Sequence, residues 1–314
     1  MNFAQILIVV ILAAIVICFF IISWKLSSLV VTPNTSNPDK CYIEEIERGK
    51  IDKEKYEHTY NREDFTIKSQ YGYNLSGSFI PRKPDIALKD NREKAVIIVH
   101  GYTFCHFGSV KYVDIFRDLG FNCVIYDHRN HGYSDKASTT MGFYEARDLK
   151  QICDWTRHRL GENTIIGTHG ESMGAGTVMM NAPLDDKLSF IIEDCGYSSL
   201  PDQLAFNMKK FYHLPRFPFL YIASLLSKLR GGVFFHKVIP MNEIAKCEKI
   251  PMLFIHGGLD DFVPTYMVED LFKAKNGYRR MKIFPKAYHA GSYWNNQTEY
   301  KNEIVEFLRE TKVI

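Results

Sequence analysis

The spacing of hydrophobic and polar residues changes character along the chain. From Phe3 to Trp24, "FAQILIVVILAAIVICFFIISW", only Gln5 and Ser23 are polar. At 1.5 Å per residue this run can cross a hydrocarbon core of roughly 30 Å, and it has no polar face to suit a core helix. It also lacks the basic n-region and small-residue cleavage site of a signal peptide, so residues 1–30 are expected to be an uncleaved membrane anchor. "VTPNTSNPDK" then reads as a polar linker, and "EEIERGKIDKEKYEH" as a solvated, charged helical approach ending near residue 61. "REDFTIKS" and "YNLSGSFIP" alternate about a turn-like "QYGY", which predicts a β-hairpin at the start of a domain running from 62 to 314.

Beyond the hairpin the apolar runs are short and nearly unbroken, the pattern of strands buried on both faces. "KAVIIVHG", "FNCVIYD", "NTIIGTHG", "LSFIIEDC", "PMLFIHG" and "RRMKIFP" are of this kind. Helical periodicity separates several of them, in "SVKYVDIFRDLG" and "YEARDLKQICDWTRHRLG", and "TEYKNEIVEFLRE" closes the chain. Strands alternating with helices predict a parallel α/β sheet with right-handed crossovers. Residues from about 200 to 250 break the alternation. They are rich in Leu, Phe and Tyr, are interrupted by Pro215 and Pro218, and are expected to form a helical cap over the sheet's carboxyl edge.

Composition narrows the function classes. The 314 residues suffice for one large domain after the anchor, and 46% hydrophobic with 24% charged residues is ordinary for a globular chain. A net charge of +3 with no basic tract gives no footing for nucleic acid. The seven cysteines are scattered, without a C-x-x-C pair, which predicts free thiols, no metal site and a reducing compartment. Lys25 and Lys40 follow the span while no Lys or Arg precedes it, so the body is expected on the cytoplasmic side of a cell membrane crossed once.

The candidate chemistry centres on "THGESMGAGT". G-x-S-x-G is a weak signal alone, since small residues also make ordinary turns before packed helices. Here a strand precedes it and a helical segment follows, the context of a nucleophile elbow that lifts the Ser172 hydroxyl into a cleft. Serine needs a base to take its proton. His289 follows the last strand and fits; His256, at the end of "PMLFIHGG", is a second choice, and His169 is expected to pack beneath the elbow. The base needs an orienting carboxylate, for which Asp260 is best spaced after its strand. Asp261 is expected to cap the next helix, and Asp194 is the third choice. Backbone N–H groups of Tyr102, after "VHG", and Met173 would form the oxyanion hole.

These blocks carry a resemblance. From about Asp64 to Glu310 the chain resembles α/β-hydrolase fold serine hydrolases, particularly the Bem46-like and serine-aminopeptidase-like branch. "VHGYT", "DHRNHGYSD", "GESMGAG", "HGGLDDFVP" and "AYHAGS" occur in the family's order. The resemblance implies an eight-stranded, mostly parallel sheet, a Ser172–Asp260–His289 triad, and oxyanion donors at Tyr102 and Met173. Asn130 departs from it, standing where many relatives have glycine. The expected reaction is hydrolysis of a small-molecule or lipid acyl ester through an acyl-enzyme, without cofactor; hydrolysis of peptides, thioesters or amides, and acyl transfer, are the alternatives on the same residues. A non-catalytic membrane-bound scaffold is the alternative of another class, and it predicts a damaged triad. The cap's Lys209, Lys210, Arg216, Lys228, Arg230 and Lys237 are interleaved with aromatics. They suit either a solvated lid or a lid facing anionic headgroups.

Overall fold

The computed structural model describes residues 2–88 and 91–314, and the short apolar runs are strands of one eight-stranded sheet. In chain order the strands are β1 (Glu63–Lys68), β2 (Asn74–Ile80), β3 (Lys94–Val99), β4 (Asn122–Tyr126), β5 (Ile165–Glu171), β6 (Phe190–Asp194), β7 (Met252–Gly257) and β8 (Arg279–Phe284). In space they run β1-β2-β4-β3-β5-β6-β7-β8. The expected hairpin is present, with Glu63 opposite Phe79 and Lys68 opposite Asn74. β2 meets β4 antiparallel, and every pair from β4 to β8 is parallel.

The unbroken apolar runs follow from two-sided burial. Ile98, Phe190 and Ile255 face one core with Val113, Phe116, Tyr300 and Phe307. Their neighbours Ile97, Ile191 and Phe254 face the other, with Leu149, Ile152, Val178 and Leu271. The covering helices are α3 (Val110–Arg117), α4 (Phe143–Leu160), α5 (Met173–Asn181), α9 (Tyr266–Ala274) and α11 (Gln297–Glu310). A single turn, α10 (Ser292–Asn295), precedes the last.

The break in alternation is helical: α6 (Leu200–Tyr212), α7 (Phe219–Gly231) and α8 (Pro240–Ile244) connect β6 to β7. At the N-terminus α1 (Phe3–Val31) is one helix of 29 residues, long and apolar enough to cross a membrane. A third hydrophobic cluster joins the two regions, with Val30 of α1 among Met208, Phe219, Leu220, Ala223 and Phe235.

The segment expected to be a linker and solvated approach is instead part of the domain. Its helix α2 (Pro38–Glu47) starts with Pro38 behind an Asn37 side-chain cap. Cys41, Ile51, Tyr56 and Tyr60 are buried in the core beside Phe107 and Phe116. Most of the charges that suggested solvation occupy the outer face of this layer, and the one buried acid, Glu45, pairs with Arg48 and Lys50.

Candidate active site

The turn after β5 answers why glycines gather around Ser172. Ser172 adopts φ +57°, ψ −113°, a conformation that L-residues rarely hold. Its neighbours must be small because the turn is tight. A Cβ on Gly170 would lie 2.3 Å from the Gly174 carbonyl oxygen, and one on Gly174 would lie 2.1 Å from the Val99 oxygen. Gly176 gives room to the Tyr197 ring instead, whose hydroxyl would be 2.6 Å from an added Cβ. The Ser172 N–H donates to the Asp194 carbonyl at 2.8 Å, which fixes the strained residue to β6.

The loops after β7 and β8 bring two more of the expected residues to this serine. Ser172 Oγ lies 3.0 Å from His289 Nε2, and His289 Nδ1 lies 2.7 Å from Asp260 Oδ2. Asp260 Oδ1 accepts from the N–H groups of Phe262 at 3.0 Å and Val263 at 2.8 Å. Burial alone would raise the Asp260 pKa, but hydrogen bonds from His256 and His289 outweigh it and hold the carboxyl below the usual range. An ionised Asp260 accepts a hydrogen bond from the Nδ1–H of His289, which leaves Nε2 as the acceptor for the serine hydroxyl.

The competing side chains do not reach the serine. His256 is fully buried, with Nε2 2.9 Å from the Val263 carbonyl oxygen and 3.3 Å from Asp260 Oδ2, so it supports the acid. His169 sits beneath the elbow, 2.8 Å from the Tyr300 hydroxyl, and burial depresses its pKa to about 3. Asp194 accepts from Tyr300 at 3.0 Å, away from His289, with its pKa raised to about 7 by burial and by nearby Glu171. Asp261 is not a helix cap. It is exposed and pairs with Lys210 at 3.1 Å, while the following helix begins after Thr265 with no side-chain cap.

Two backbone N–H groups expected at an oxyanion hole flank the serine. Met173 opens α5. Gly101 approaches so closely that an added Cβ would be 3.5 Å from the Ser172 Cβ, which sets Tyr102 beside it. Three buried histidines shape this loop. The Thr103 N–H donates to His131 Nε2 at 3.2 Å, and the His128 N–H donates to His100 Nε2 at 3.0 Å. Burial lowers the pKa of all three, that of His128 to about 3, so their ring nitrogens are free to accept. Asn130 has φ +66°, a left-handed conformation that glycine takes freely and asparagine tolerates.

Sequence reasoning passed over Cys195. It follows β6, between the strands that carry Ser172 and Asp260, and has φ +51°. Its sulfur lies within 4.8 Å of the donor atoms of Asp260 and His289. Burial pushes its thiol pKa well above the usual value, so it packs as a neutral side chain and is a poor metal ligand. Position at a strand end in the middle of the site was the available signal.

An apolar cavity of about 200 Å³ reaches Ser172, lined by residues of the cap and also by Leu26, Leu29 and Val30 of α1. The family model for the α/β-hydrolase fold matches residues 94–192. The uncharacterized protein YqkD of Bacillus subtilis is 38% identical over 246 residues, covering 78% of each chain. The chain belongs to the α/β-hydrolase family. Protein Bem46 of Schizosaccharomyces pombe is 24% identical to this hydrolase over 198 residues, 62% of this chain and 60% of Bem46. Among solved structures, the esterase Pf2001 of Pyrococcus furiosus superposes with a TM-score of 0.66 at 24% identity, over 82% of this chain and 93% of its own. That likeness is one of fold.

Proposed function

We propose that this hydrolase cleaves carboxylic esters through an acyl-serine intermediate, with Ser172 as nucleophile, His289 as base and Asp260 as its orienting acid. The observation that carries the reading is the continuous chain of contacts at 3.0 and 2.7 Å, ending on a serine held at positive φ. His289 Nε2 takes the Ser172 proton as Oγ attacks the acyl carbon. The carbonyl oxygen, now an anion, is met by the N–H groups of Tyr102 and Met173, worth several kcal/mol together. Collapse of the adduct breaks the ester C–O bond, and the imidazolium returns its proton to the departing alcohol. Water then repeats the cycle on the acyl-enzyme.

The apolar wall of the cavity favours an acyl chain over a peptide, whose backbone polar groups would lose water without replacement. α1 is read as a single-pass anchor in the cell membrane, with the catalytic domain on the cytoplasmic side. The test uses the full chain in detergent with a short p-nitrophenyl ester and a fluorophosphonate probe. The parent protein should hydrolyse the ester and be labelled, and Ser172→Ala should abolish both. Undiminished labelling of that variant overturns the assignment. Parallel assays on a thioester and an anilide of the same acyl group rank the alternatives.

A further inference from the structure

The anchor does more than tether. At 1.5 Å per residue α1 is about 43 Å long, against a hydrocarbon core of roughly 30 Å. Its last two turns therefore project past the span, and they carry Leu26, Leu29 and Val30 into the cavity at Ser172. Phe19, Ile22, Ser23, Leu26, Ser27 and Val30 share one helical face, and all six are buried or half-buried. That face lies on α7 of the cap. The Phe19 and Phe219 rings meet at 5.2 Å at one end, and an added Cβ on Gly231 would be 3.2 Å from Val31 at the other, so the helices run parallel. Buried Ser23 and Ser27 on α1, with Ala223, Ser227 and Gly231 on α7, keep small residues at four-residue intervals, as close helix pairing in membranes requires.

The end of α1 is fastened to the catalytic body. Arg230 donates to Ser28 Oγ at 2.9 Å and to Ser27 Oγ and Thr32 Oγ1 at 3.2 Å, and its guanidinium lies 4.2 Å from the Trp24 ring centroid. The Leu29 carbonyl would look to residue 33 for a donor, but Pro33 has no N–H. The Tyr102 hydroxyl donates to it instead. The residue proposed to stabilise the oxyanion is thus bonded to the anchor. On the outer side of α7, Tyr221, Leu225 and Leu229 are 60%, 50% and 73% exposed at four-residue spacing, and Phe217, 74% exposed just before the helix, sets its ring 6.0 Å from that of Tyr221. An apolar stripe parallel to a membrane-crossing helix suits the lipid interface, where aromatic side chains settle.

We propose that α1 is a wall of the acyl site, that the outer face of α7 rests in the same leaflet, and that the substrate is a single-chain acyl ester drawn sideways from that leaflet. The proposal rests on Ser172 as nucleophile, and its test separates the two. The full chain is placed in lipid nanodiscs and assayed on acetyl, octanoyl and dodecanoyl p-nitrophenyl esters, with fluorophosphonate labelling alongside. Leu26→Trp, which fills the cavity, should lower the dodecanoyl-to-acetyl ratio of kcat/KM by about tenfold or more. Leu26→Ala, which enlarges it, should raise the dodecanoyl-to-octanoyl ratio. The double substitution Leu225→Glu, Leu229→Glu should lower hydrolysis of dodecanoylglycerol in nanodiscs relative to the same ester in detergent micelles. If both Leu26 variants keep the parent ratios while Ser172 is labelled, α1 is a tether only and the proposal falls. An unchanged nanodisc-to-micelle ratio in the double variant, or a dimer in nanodiscs that the double variant dissociates, overturns entry from the leaflet. A parent chain that resists labelling overturns the nucleophile reading itself.

Discussion

Asp260→Asn is the substitution whose consequence the geometry works out most fully. The carboxylate uses both oxygens: Oδ1 accepts two backbone N–H groups, and Oδ2 accepts from His289 Nδ1 at 2.7 Å. An asparagine has one acceptor oxygen to share between these tasks. Turned toward His289, it sets its NH2 against the N–H groups of Phe262 and Val263, leaving buried donors unpaired at about 1–3 kcal/mol each. Turned toward the loop, it presents NH2 to Nδ1. The imidazole then carries its proton on Nε2, facing Ser172 Oγ, where it cannot accept the serine proton. The second arrangement keeps the loop intact and should prevail. A locked wrong tautomer costs about 10³- to 10⁴-fold in turnover, or about 4–5.5 kcal/mol in the barrier. The assay is kcat and KM on a soluble ester, with urea unfolding as a check on the fold. We expect kcat to collapse while KM holds, because Asp260 does not line the cavity. Asp261→Asn is the control, since it breaks only an exposed pair with Lys210 worth less than about 1 kcal/mol. A loss under about tenfold in Asp260→Asn refutes the orienting role.

Tyr102→Phe removes the donor to the Leu29 carbonyl and frees the oxyanion loop from α1. It should cost about 1 kcal/mol in stability and lower kcat several-fold, and an unchanged kcat would show that the bond does not position the loop. Asp194 is pushed up to about 7 by burial and by Glu171, whereas an unfolded aspartate titrates near 3.9. In that window the folded state holds a proton that the unfolded state releases, so stability falls as pH rises from about 4 to 7 and is flat above. Asp194→Asn should flatten the slope, leaving the share due to Asp148 and Glu193, and should gain stability over the parent at about pH 8 but not at about pH 4 in urea unfolding. Equal midpoint differences at the two pH values would refute the shift.

The sheet was readable, and so was the placement of the candidate site residues at its edge, because each left a local mark. Strands buried on both faces show as unbroken apolar runs, and a parallel sheet gathers chemistry at its carboxyl ends, which singles out residues just after a strand. Ser172, Asp260 and His289 all stand there, and so does Cys195, while His256 is near the end of β7. Residue type and spacing put His289 ahead of His256 and Asp260 ahead of Asp194, but left Cys195 unplaced. Distances agree with that order: His256 lies against Asp260 and the Val263 carbonyl rather than the serine, and Asp194 turns to Tyr300. Asp261 shows the limit of a local rule. An acid ahead of a helix suggests a cap, yet Lys210, from a distant segment of the cap, holds it instead.

The N-terminal third was harder for a physical reason. A helix apolar on every side has no preferred face, so periodicity could not reveal that Phe19, Ile22, Leu26 and Val30 turn toward protein while their neighbours turn outward. Its partner, α7, lies about two hundred residues away in the chain, and the contact consists of small residues that look unremarkable in both segments. Charge misled in the stretch before β1, where Tyr56 and Tyr60 are buried beneath a surface of lysines and glutamates. Together these contacts change what the anchor is. A tether joined by a free linker could be shortened, lengthened or replaced with little effect on the site. A helix whose last carbonyls are bonded by Tyr102 and Thr139, and whose Leu26 and Val30 line the cavity at Ser172, has no such freedom. On the reading proposed above, the seven residues Lys25 to Val31 join the apolar span to the wall of the cavity, and a change in them is felt at the site.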